Sequence, residues 1–181
     1  MGLRFRVAGY EHLSFITTTV VEHLRIFIED RYYQVLIDNL NFYREKYRFK
    51  LVGYVLMPTH LHLLLLIPEH GSESEIMRDF KNYTSMKVRD LLISDHHEPE
   101  LSVMVEAALG YRDQHHKLWM DRFDNVLVYS PKAFRTKLEY IHNNPVKAGL
   151  VGKPEDWKYS SARNYLLDDH SIIYVDTDMV L

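Results

Sequence analysis

Pro58-Thr59-His60-Leu61-His62-Leu63-Leu64-Leu65-Leu66-Ile67 is the stretch whose reading decides the fold. It is a short apolar run, bounded by Pro58 and Pro68, with two histidines spaced i, i+2 near its start. Too short for a typical helix, it reads as a buried strand. Alternate side chains of a strand share a face, so His60 and His62 stand side by side, roughly 6.6 Å apart along the backbone. Leu61 and Leu63 then turn the other way, into the core. Two imidazoles on one rigid strand can close on a single divalent metal. The same pattern also suits two hydrogen-bonded histidines at a sheet surface, since histidine is common at intermediate burial.

Working outward, Phe49 to Met57 reads as a second strand, and the tight Pro58-Thr59 turn makes the two neighbours antiparallel. Upstream, Leu13 to Val20 is rich in β-branched and aromatic residues and predicts a first strand. Between them Leu36, Leu40, Tyr43 and Tyr47 recur at helical spacing, predicting an amphipathic helix from about Arg31 to Tyr47. Downstream, Ser72 with Glu75 resembles a capping box, and a helix is expected from about Ser74 to Ile93. One face of it carries Arg78, Lys81, Ser85 and Arg89. Such a stripe can contact phosphates, or it can simply be a solvated face. Residues 94–117 give no clear pattern, and the adjacent pairs His96-His97 and His115-His116 diverge too much to share a metal. Leu118 to Tyr129 reads as a strand or extended segment.

Ser130 and Pro131 start a further helix, as N-cap and first helical residue. Pro145 disfavours the α conformation of the residue before it, so the helix is expected to end near Asn144. Phe134, Leu138 and Ile141 form its buried stripe. Tyr140 and Asn144, four apart, share a face. His142 points elsewhere and reads as structural.

With 181 residues the chain can bury its own core as one domain, read over residues 1–165. It holds no cysteine, which excludes disulfides and thiolate metal sites. No signal peptide or membrane-length apolar run is evident, so a cytoplasmic protein, nucleoid-associated when acting, is expected. The net charge is −3, yet residues 166–181 contain four aspartates and no Lys or Arg, leaving the body with 22 basic and 21 acidic residues. That acidic tail either lies over a basic groove and competes with nucleic acid, or is a solvated, frayed terminus.

The strand-borne His60-Leu61-His62, followed about eighty residues later by Tyr140-Ile141-His142-Asn143-Asn144-Pro145-Val146-Lys147-Ala148-Gly149-Leu150-Val151 and then Asp156-Trp157, resembles the single-tyrosine HUH transposases of IS200-like fold. The REP-associated tyrosine transposases of bacteria are the nearer likeness, which spans roughly residues 8–163. The resemblance implies an α+β fold, a ferredoxin-like antiparallel sheet with helices packed on it. This agrees with the β-α-β-β-α order read from periodicity. It also implies nicking and strand transfer on single-stranded, hairpin-containing DNA through a 5′-phosphotyrosine link. Tyr140 would be the nucleophile. Mg²⁺ or Mn²⁺ would be held by His60, His62 and a polar residue one helical turn beyond the tyrosine, Asn144, with Asn143 as rival. Arg78, Lys81, Arg89 and Arg122 would contact the DNA. Two other classes stay open: a domesticated protein that binds hairpins without cutting, and a phosphoesterase that uses water. Monomer and homodimer, and a tyrosine acting in cis or in trans, are both open.

Overall fold

The computed structural model describes residues 10–112 and 114–178. Residues 1–9 of the expected domain and 179–181 of the tail lie outside these. In chain order the strands are β1 (Tyr10–Thr19), β2 (Lys50–Leu56), β3 (His60–Pro68) and β4 (Asp124–Val128). The helices are α1 (Asp30–Tyr47), α2 (Glu73–Ser94), α3 (Glu98–Glu106), α4 (Pro131–Lys147) and α5 (Ala162–Leu167). The four strands form one antiparallel sheet in the order β2-β3-β1-β4. β1, α1 and β2 make a split β-α-β unit with β3 inserted between its strands, the ferredoxin-like topology.

The apolar periodicity of β3 places it in the centre, where both faces must be covered. Leu61, Leu63 and Leu65 pack with Leu36 and Leu40 of α1 and Phe80 of α2. Leu64 and Leu66 face the other way, with Phe15, Val55 and the α4 residues Phe134 and Ile141. The molecule is therefore three layers: α1 and α2, the sheet, then α4. At Gly53 of β2 the last layer comes close, since an added Cβ would stand 2.9 Å from Leu138 Cδ1.

Three readings are corrected. Residues 94–117 contain α3, whose first turn holds Pro99, a helix-start residue that the short and weakly periodic segment hides. The second concerns α4, which does not stop near Asn144 but runs through Pro145 to Lys147. Its end is set by Gly149, at φ +69°, with Gly149 N–H donating to Val146 O (3.0 Å) and Leu150 N–H to Pro145 O (3.0 Å). That is a Schellman closure, which needs glycine at the left-handed position. Proline costs the helix one hydrogen bond so close to its end, and burial of the Pro145 ring offsets it. The third concerns the tail, which is packed rather than frayed as far as it is described. Ile173 and Val175 are buried, Asp176 N–H donates to Leu51 O (2.8 Å), and the Asp176 carboxylate pairs with Arg44 Nη2 (2.6 Å). These contacts lie on α1 and the outer edge of β2. Among the described residues, no helix is long and apolar enough to cross a membrane.

Candidate active site

β3 presents His60 and His62 on the face that α4 covers, and their rings lie 4.9 Å apart. The β1 register sets Thr17 opposite His62 and Thr19 opposite His60. Thr17 Oγ1 is 2.8 Å from His62 Nδ1, and Thr59 Oγ1 is 2.9 Å from His60 Nδ1. A hydroxyl accepting from Nδ1–H fixes the tautomer in which Nε2 carries the lone pair, the atom that can accept a hydrogen bond or bind a metal. Burial, then His60 and Lys137, lower the His62 pKa to about 3. Burial is also the main cause of the lowered His60 pKa, opposed by a hydrogen bond to Asn144. Both rings are thus held in the neutral form that ligates metal.

α4 supplies the rest. The Tyr140 ring sits 5.1 Å from that of His62 and is partly exposed. One turn further on, Asn144 Nδ2 is 3.1 Å from His62 Nε2. Asn143 instead donates back to Glu139 O (2.9 Å), so geometry favours Asn144 over its rival. Because α4 continues past Pro145, Asn144 lies within regular helix and not at a fraying end. His142 turns the other way, buried, with Nε2 3.0 Å from Ser161 Oγ, as a structural histidine should be.

Two neutral imidazoles and an amide, whose far end carries an oxygen as well as a nitrogen, form a donor set that fits a divalent cation. Among the described residues no group of three His, Asp or Glu side chains could hold a metal. An ion held by these three donors alone would keep positions for phosphate and water. The Tyr140 ring thus lies beside a histidine of its own chain.

The basic residues read from sequence do not converge on this site. α2 packs on the opposite face of the sheet. Arg78 Nη2 pairs with Asp79 (3.0 Å) and Arg89 Nη2 with Asp90 (2.6 Å). The Lys81 ammonium donates to the carbonyls of Met120 (2.6 Å) and Asp121 (2.9 Å), and burial lowers its pKa to about 8. Arg122 is exposed in the segment before β4. The residues that do surround the site were missed. Phe15 stacks on His62 (5.4 Å) and meets Tyr140 edge-on (5.9 Å). Lys137 Nζ lies 4.3 Å from the Phe15 ring centre, and Lys147 Nζ lies 5.6 Å from that of Tyr140. The signal was present: Lys137 is three residues before Tyr140, and Lys147 seven after it, both spacings that return to one helix face.

Comparison with known proteins supplies the family. Residues 11–100 match the family model described as "Transposase IS200 like". A protein of Haemophilus influenzae, provisionally named a REP-associated tyrosine transposase, is 30% identical over 143 residues, 75% of this chain and 76% of that one. The REP-associated tyrosine transposase of Escherichia coli K12 is 23% identical over 118 residues, 62% of this chain and 54% of its own length. Among solved structures, a REP-associated tyrosine transposase bound to a REP hairpin superposes with a TM-score of 0.64 at 21% identity, over 99% of this chain and 95% of the other. At that identity the superposition establishes the shared fold. The chain belongs to the REP-associated tyrosine transposases, within the IS200-like transposase family.

Proposed function

We propose that the chain nicks and rejoins single-stranded DNA that carries hairpins, with Tyr140 as nucleophile. The observation that carries this reading is the Tyr140 ring 5.1 Å from His62, with Asn144 one turn along the same helix bonded to that histidine. Hairpin DNA is taken as the partner because the solved relative is bound to a REP hairpin.

In this reading the Tyr140 hydroxyl oxygen attacks a backbone phosphorus. The bond from phosphorus to the 3′ oxygen breaks, that oxygen takes up a proton, and the 5′ phosphate stays on the tyrosine. Attack by the 3′ hydroxyl of a second strand reverses these events, so the phosphodiester energy is conserved and no nucleotide cofactor is needed. A tyrosine hydroxyl ordinarily holds its proton at neutral pH, so transfer of that proton must accompany attack. His60, His62 and Asn144 would hold Mg²⁺ or Mn²⁺, which when bound polarises a non-bridging phosphate oxygen. Thr17 and Thr59 keep the imidazoles oriented, and Phe15 packs against both His62 and Tyr140. The lysines on α4 supply positive charge where a DNA strand would run.

The test is incubation of a labelled single-stranded hairpin pool with Mn²⁺ and either the natural chain or Tyr140→Phe. Cutting by the natural chain alone supports the proposal. Equal cutting by both assigns the reaction to water. Binding without cutting by either leaves a hairpin-binding protein.

A further inference from the structure

Lys137 is a partly buried lysine on the face of α4 that carries Tyr140. Among the described residues no carboxylate lies within ion-pair distance of it, and its ammonium stands over the Phe15 ring, 4.3 Å from the ring centre. Phe15 also carries His62 on its ring and Tyr140 at its edge, so one aromatic platform gathers the cation, a metal-ligating imidazole and the nucleophile. Phe15 is stacked between the Lys137 ammonium and the His62 ring, which sets a positive charge beside the position a metal would take. A fixed positive charge beside that position opposes its occupation by a divalent cation. Two like charges share a site comfortably only with an anion between them.

We propose that Lys137 holds the scissile phosphate of the DNA, and that its charge keeps metal affinity low until that phosphate arrives. This rests on the nicking reading above and adds an order to it: DNA binding strengthens metal binding, and metal binding strengthens DNA binding equally, as linkage requires. Lys137 then contributes to rate by bonding the phosphate oxygens as negative charge builds on them.

The experiment compares the natural chain with Lys137→Met, which keeps an unbranched stem over Phe15, and Lys137→Arg, which keeps the charge. Mn²⁺ affinity is measured by electron paramagnetic resonance with and without a single-stranded hairpin oligonucleotide, and covalent adduct formation is timed in single turnover. Lys137→Met is expected to bind Mn²⁺ about threefold tighter without DNA, to gain less from added DNA, and to form adduct about a hundredfold more slowly. Lys137→Arg is expected to stay near the natural chain in both. Unchanged Mn²⁺ affinity together with an unchanged adduct rate in Lys137→Met overturns the proposal and leaves Lys137 as a cover for Phe15. If the natural chain forms no adduct yet the metal and DNA coupling depends on Lys137, the nicking reading fails alone. If adduct forms at full rate in Lys137→Met, the phosphate role fails alone.

Discussion

His62 uses its two nitrogens differently: Nδ1 is held by Thr17 and Nε2 faces Asn144. Thr17→Val removes the acceptor while suiting a strand, so the fold should persist. Mn²⁺ affinity should fall about tenfold, the usual cost of losing a partner behind a metal ligand. A titration showing no loss would contradict the role given to Thr17. His142 offers a separate test of burial. Its pKa is lowered to about 4, from an ordinary value near 6.5, because the ring is desolvated. As pH falls through 6.5 the unfolded chain takes up a proton that the folded chain refuses, so stability is full above 6.5 and is lost toward 4. The loss should be roughly 2 kcal/mol at pH 5. His142→Gln, which can still bond Ser161, should narrow the gap between urea unfolding at pH 7 and pH 5 by about that amount. An unchanged gap would contradict it.

At the scale of elements, the residues of α4 show what a sequence does and does not display. Its start was legible because the Ser130 side chain accepts from Ala133 N–H (3.2 Å), a purely local bond. Its end was misread at Pro145, because the stop is a left-handed Gly149 whose closure involves two bonds that proline does not prevent. Gly149→Ala should therefore cost about 1 kcal/mol in urea unfolding, purely from backbone strain, since a Cβ there meets nothing within 4 Å. An unaffected midpoint would contradict the closure. The histidine strand, α1 and the capped start of α2 were equally legible, each from a local period or cap. The layer to which a helix belongs is not local. The α2 stripe reads from sequence as a phosphate surface, yet α2 packs on the side of the sheet away from α4, which carries Lys137 and Tyr140.

At the scale of the whole molecule, the outer edge of the sheet at β2 is not left open. β2 is covered by the chain that follows α4: Leu56 N–H donates to Tyr159 O (2.9 Å), Ser161 N–H to Tyr54 O (2.9 Å), and Asp176 N–H to Leu51 O (2.8 Å). Removing residues 171–181 strips Ile173 and Val175 from the core, and stability should drop by about 3 kcal/mol. Hairpin affinity should not rise, because the described tail rests on α1 and β2. A gain in affinity without loss of stability would revive the tail as a competitor for DNA. Because Tyr140 sits beside its own chain's histidines, mixing Tyr140→Phe with His62→Ala should not restore adduct formation. Recovery on mixing would mean that active sites are shared between copies.

The most direct measurement is to isolate covalent protein–DNA adduct formed with Mn²⁺ on a single-stranded hairpin, digest it, and identify the peptide that carries the nucleotide. The expected result is a 5′ phosphate on Tyr140, with no adduct from Tyr140→Phe. Attachment at any other residue, or cutting that leaves no covalent intermediate and survives Tyr140→Phe, would contradict the assignment of Tyr140 as nucleophile.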